Sequence, residues 1–106
     1  MNEIPNLNYI KELAGDSEAF KEKIIGIIKR EFPEEKKEFL QNYTAQNLGK
    51  SAENVHKLKH KIGMFGFEDG YQTAIDFEEE LKKKNTSLYP KFMLILESIE
   101  HFLETL

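Results

Sequence analysis

The stretch VHKLKHKIGMFGF, Val55 to Phe67, carries apolar residues at Val55, Leu58, Ile62 and Phe65. Those steps bring the four side chains to one face of an α-helix, whereas a strand would split them between its two faces. Two of the chain's three histidines, His56 and His60, lie between them, with lysines around them and Gly63 and Gly66 beyond. The helical period continues on both sides of this stretch. No segment alternates like a half-buried strand, so the chain reads as all-α.

Toward the N-terminus, a short helix is expected over roughly Leu7 to Ala14, with Leu7, Ile10 and Leu13 on its apolar face. Gly15 suits its C-cap, and Asp16 or Ser17 suits the N-cap of the next helix. That helix groups Phe20, Ile24, Ile27 and Ile28, and it is expected to stop near Phe32, because Pro33 disfavours helical geometry in the residue before it. Pro33 then fits the first turn of a further helix carrying Phe39, Leu40 and Tyr43. Leu48-Gly49 reads as a break, and Ser51 as the N-cap of the helix bearing Val55 to Phe65. Gly66 to Gly70 reads as a turn. The helix after it carries Ala74, Phe77 and Leu81, with Tyr71 and Ile75 beside them, and ends at Lys82, Lys83 and Lys84, which suit a helix C-terminus. After a last turn at Asn85 to Ser87, Leu88, Phe92, Ile95, Leu96, Ile99, Phe102 and Leu106 mark the final helix. The connections are short, so sequential long helices are expected to pack antiparallel. The expected product is an up-down-up-down four-helix bundle with a short extra N-terminal helix, residues 1–106 forming one domain.

Composition narrows the function. The chain has 106 residues, 40% of them hydrophobic and 32% charged, which suits one soluble globular domain. It has no cysteine, so disulfides, thiolate nucleophiles and cysteine zinc sites are excluded. A net charge of −4 argues against general nucleic-acid binding. No apolar run is long enough to span a membrane, and no secretory leader is evident, so a cytoplasmic location is expected. No Walker-type or Gly-x-Gly-x-x-Gly motif occurs, so the chain has no nucleotide site and is not expected to be a kinase.

What remains is the surroundings of His56. At about 100° per residue, His56 falls at the edge of the solvent face and Lys59 lies nearer the core. Ala52 and Gly63 flank the same strip. A phosphoryl group on an exposed imidazole nitrogen would carry about two negative charges, which a lysine one turn away can partly neutralise. The other ring nitrogen needs an acceptor to fix tautomer and orientation. An antiparallel return across a turn near residue 68 brings positions 78 to 82 opposite His56, and Glu78 and Glu79 stand there.

These residues resemble the histidine phosphotransfer (HPt) domain family. Its pattern is His-x-Leu-Lys-Gly, a few small residues, then Leu-Gly. Here it stands as His56-Lys57-Leu58-Lys59-His60, then Lys61 to Met64, then Phe65-Gly66. Leu13-Ala14-Gly15-Asp16, the helix with Phe20, Phe32-Pro33 and Phe77-Glu78 also fall where that family has similar residues. The resemblance implies a phosphoryl carrier rather than an enzyme, working in a multistep two-component phosphorelay. His56 would accept the phosphoryl group from a receiver-domain aspartate and pass it to another. Lys59 would neutralise its charge and Glu78 would orient the imidazole. The implied partners are receiver domains of response regulators and hybrid sensor histidine kinases, met by a monomer. No cofactor is expected on this chain, Mg²⁺ belonging to the receiver.

The pattern departs from the family at His60, which replaces its glycine, and at Lys61 and Ile62, which replace small residues. His60 is read as restricting which receivers can dock, and Gly63 as keeping access to His56 open. Two other classes stay open. One is metal binding by His56 and His60, spaced i, i+4, with Glu78 or Glu79 as third ligand. The other is a helical interaction module without phosphoryl chemistry.

Overall fold

The computed structural model describes residues 4–106. Among them are five α-helices and no strand: α1 (Asn8–Ala14), α2 (Glu18–Thr44), α3 (Leu48–Met64), α4 (Glu68–Lys82) and α5 (Tyr89–Glu104). The all-α class follows the expected pattern.

The first boundary forms as the residues suggest. Gly15 adopts a positive φ of 58°, a conformation in which a Cβ is costly, and its N–H donates to the Lys11 carbonyl. The Ser17 hydroxyl accepts from the Phe20 N–H at 3.1 Å and so caps α2.

The expected break at Phe32-Pro33 is absent. α2 runs 27 residues with Pro33 inside it. Proline cannot donate to the carbonyl four residues earlier, that of Lys29. Both Pro33 and Lys29 are exposed, so the missing bond falls on the solvent side. Phe32 and Phe39 are fully buried on the other side, and that burial holds the helix together across the proline. The segments expected on either side of Pro33 are therefore one helix of about 40 Å, close to the 44 Å long axis of the molecule.

Two further boundaries differ from expectation. Leu48-Gly49 is not a break but the first turn of α3. Asn47, not Ser51, is the N-cap, its side chain accepting from the Lys50 N–H at 3.2 Å. Ser51 lies inside the helix, buried, and its hydroxyl donates to the Asn47 carbonyl at 2.8 Å. The turn after α3 is also shorter than Gly66 to Gly70. Gly66 takes the positive φ of 67°, and Gly70 is already in α4. A Cβ at Gly70 would lie 2.7 Å from Phe67 Cδ1 and 3.2 Å from methyls of Ile62 and Ile95, so the glycine permits close packing there.

Val55, Leu58, Ile62 and Phe65 are all fully buried, as are Ala74, Phe77, Phe92, Ile95, Leu96 and Ile99. The core face of α2 differs from the expected one. Ile25, Ile28, Phe32 and Phe39 are buried, whereas Phe20 is 46% exposed. Leu13 of α1 is 48% exposed, and Ile10 alone of that helix is buried. The backbone N–H of Asn6 donates to the Phe65 carbonyl at 2.8 Å, which ties the start of the described chain to the α3–α4 turn.

Contacts between the long helices follow a definite order. Lys61 pairs with Glu31 and Glu35, while the Asn42 side chain donates to Asn54 at 2.7 Å. Phe39 meets Phe92 and Tyr43 stacks on Tyr89, while Lys36 pairs with Glu100. Tyr71 lies beside Gly63, and Glu78 beside His56. These contacts set α4 behind the His56 strip of α3.

Candidate functional site

α3 presents His56 because Val55 and Leu58 turn inward and leave position 56 at the edge of the exposed face. The His56 side chain is 51% exposed. Glu78 projects from α4 next to buried Phe77, and its carboxylate oxygens both lie 3.2 Å from His56 Nδ1. Lys59, one turn along α3, reaches the same carboxylate, with Nζ 3.2 Å from Oε1. Lys59 and Glu78 are largely covered, at 13% and 12% side-chain exposure, so this pair forms a partly desolvated floor under an open imidazole.

Burial pushes the Glu78 carboxyl up, but the hydrogen bonds from His56 and Lys59, with the charges of both, outweigh it and hold the group below its ordinary value. The carboxylate is thus ionised and can only accept. Nδ1 of His56 therefore carries the proton and donates to Glu78, which leaves Nε2 as the ring's free lone pair. Lys59 Nζ lies 3.3 Å from Nδ1, but with both nitrogens protonated their shared acceptor is Glu78.

Nε2 points to the side of His60. The two Nε2 atoms are 3.4 Å apart, and the rings meet edge to face at 87° with centroids 4.9 Å apart. His60 is itself exposed. The structure thus brings His56, Lys59, Glu78 and His60 together. Gly63 is different. A Cβ there would lie 3.1 Å from Tyr71 Cδ2, so the bare backbone makes room for Tyr71 of α4. Glu79, the other carboxylate expected opposite His56, is 60% exposed and pairs with Lys82 instead.

Lys82, expected at the end of the helix and within the stretch opposite His56, was given no role at the site by the sequence, yet it joins the cluster. Its Nζ lies 3.5 Å from Glu78 Oε2, so Glu78 receives two lysines and a histidine. The signal was the i, i+4 spacing of Glu78 and Lys82 on one helix. A hollow of about 310 Å³ lies between α3 and α4 here, lined by His56, Ala52, Glu53, Lys57, Glu78 and Lys82 among others. On the other side of the strip, an apolar groove of about 640 Å³ opens beside His60, lined by Ile24, Ile27, Met64 and Tyr71 among others.

The family model for the Hpt domain matches residues 23–106. The chain belongs to the Hpt domain family. Hpt domains serve histidine phosphotransfer in phosphorelays, as phosphocarrier modules that work with receiver domains and have no catalytic site of their own. The Hpt match begins within α2 and includes all of α3, α4 and α5, and so the whole His56 cluster. No curated protein and no solved structure matches the chain. Among the described residues, no helix is long and apolar enough to cross a membrane.

Proposed function

We propose that this chain is a histidine phosphotransfer protein of a multistep phosphorelay, and that His56 accepts the phosphoryl group on Nε2. The observation that carries this reading is the division of labour on the His56 ring. Nδ1 is held by Glu78 at 3.2 Å, while the ring stays half exposed with Nε2 turned away from Glu78, on the side of His60. In the transfer, the Nε2 lone pair attacks the phosphorus of a receiver's aspartyl phosphate, and the P–O bond to the aspartate breaks with its electrons leaving on the carboxylate. The ring becomes cationic as the N–P bond forms, and Glu78, accepting from Nδ1–H, stabilises that charge. The return step, to a second receiver's aspartate, reverses these changes.

Lys59 neutralises charge on the phosphoryl group. It now rests on the Nδ1 side with Glu78, so it exchanges that partner for the phosphoryl oxygens once Nε2 is loaded. Lys82 remains to balance Glu78 in that state. His60 stands beside Nε2 and narrows the range of receivers that can approach. Gly63 leaves the strip two turns beyond His56 free of a side chain, its bare backbone packing against Tyr71.

The chain acts as a single domain over residues 1–106, a cytoplasmic monomer whose partners are receiver domains of response regulators and hybrid sensor histidine kinases. The required Mg²⁺ is held in the receiver's acidic pocket, not here. α2 to α5 form an up-down-up-down antiparallel bundle, as the contact pairs 31–61 with 42–54, and 36–100 with 43–89, support.

The test is phosphate transfer. A phosphorylated receiver should give the wild type an acid-labile, base-stable label, and His56→Gln should abolish it. ATP alone should give none. A label that survives His56→Gln, or that sits on His60, refutes the assignment.

A further inference from the structure

We propose that His56 and His60 together form a two-histidine site for zinc, and that the bound ion caps the nitrogen that accepts phosphate. The capping half of this statement rests on the phosphotransfer reading; the metal half does not.

The distance between the two Nε2 atoms is 3.4 Å. That is long for an N–H···N hydrogen bond, which is at its best near 3 Å. It matches two ligands on one tetrahedral ion, since two Zn–N bonds of about 2.05 Å at about 109° span ~3.3 Å. One turn of helix sets the separation, because residues i and i+4 stack on the same face.

The carboxylate behind the ring supports the same conclusion. Metal-binding histidines commonly donate their other N–H to a carboxylate, which fixes the tautomer and raises the basicity of the ligating nitrogen. Glu78 is placed in this way on Nδ1 of His56. It is therefore a support for a ligand and not the third ligand itself. Among the described residues, no three His, Asp or Glu side chains group so as to hold a metal. The remaining coordination positions fall to water, and the site is weak and reversible. Both imidazoles are exposed, so the ion enters directly from solvent. A zinc ion on Nε2 occupies the lone pair that would attack phosphorus. Where the family has glycine, His60 thus gives the acceptor a second, competing electrophile.

The test begins with zinc titration in phosphate-free buffer, followed by calorimetry. One ion should bind per chain, His56→Gln and His60→Gln should each weaken binding ten-fold or more, and His101→Gln should not. Thermal melts establish that each variant is folded. No saturable binding below about 1 mM zinc, or wild-type binding by His60→Gln, would overturn the site. Capping is read by diethyl pyrocarbonate modification, located by mass spectrometry. Zinc should protect His56 in the wild type but not in His60→Gln, and His101 in neither. Equal modification of His56 with and without zinc would overturn the cap. Labelling by a phosphorylated receiver supplies the remaining arm: zinc should slow it in the wild type and spare His60→Gln. If no receiver labels the wild type even without zinc, the phosphotransfer reading fails while titration and protection still decide the metal site.

Discussion

Glu78 accepts from His56 and Lys59 at once, and this fixes how the protein responds to acid. Its folded value lies below the ordinary 4.5. A carboxyl lowered on folding contributes stability that is present above its unfolded value and is lost as pH falls through the folded one. Wild type should therefore lose more stability than Glu78→Gln on acidification from about pH 4.5 downward. Denaturant melts across that range check it, and parallel curves would show that the pairing is not coupled to folding. Lys59→Ala should slow transfer from a phosphorylated receiver by roughly ten-fold, equivalent to about 1.4 kcal/mol of lost stabilisation at the phosphoryl group. A rate equal to wild type in a folded variant would remove Lys59 from the chemistry. His60→Gly should speed transfer or widen the range of receivers, at about 1 kcal/mol of stability for glycine inside a helix. Slower transfer from every receiver would show that His60 assists. At this scale the helical period and an antiparallel return sufficed to place Glu78 opposite His56. They could not choose Glu78 over Glu79, which depends on side-chain rotamers, and the i, i+4 spacing of His56 and His60 allowed the two rings to approach without fixing the 3.4 Å between their Nε2 atoms.

α2 shows where local rules yield to packing. Pro33 disfavours a helical Phe32, yet both residues are helical because Phe32 and Phe39 fill the core from one continuous face. Replacing Pro33 by alanine restores an N–H for the Lys29 carbonyl and removes the ring from the helix interior. Pro33→Ala should raise stability by on the order of 1–3 kcal/mol without changing transfer. Chemical denaturation would measure this, and a loss of stability would mean the proline is favoured by the helix geometry. The start of α3 teaches a related lesson. Asn47 and Ser51 are both good caps by type, and Gly49 resembles a break. The structure chooses Asn47 because Ser51 is fully buried, where its hydroxyl bonds back to the Asn47 carbonyl. Periodicity located α3, α4 and α5 well, since their apolar positions face a single core. It misjudged the first half of α2, where Phe20 is exposed and Ile25 takes the inward place.

Across the whole molecule, α4 enters the core at Gly70, between Phe67, Ile62 of α3 and Ile95 of α5. A methyl group there has no room, since the nearest ring carbon would be 2.7 Å away and belongs to a buried phenylalanine. Gly70→Ala gains about 1 kcal/mol in helix propensity but forces repacking that costs typically 1–3 kcal/mol. The net cost, up to about 2 kcal/mol, should lower the melting temperature by about 4 °C or more for each kcal/mol, and a rise would show that the three helices yield easily. The helical class and its short connections were legible because each long segment has one apolar face. The four long helices expected beside a short first one are present, but the extent of α2 was not legible, since it turned on whether the helix continues past Pro33. Where α2 ends and α5 begins, Tyr43 and Tyr89 lie face to face, with centroids 4.1 Å apart and planes 8° from parallel. The chain has four tyrosines and no tryptophan to mask them. Coupled rings at that spacing give the folded protein an ultraviolet circular dichroism signature of its own. The seating of the last helix on the longest one can thus be followed in real time on the natural sequence, with no dye or inserted fluorophore.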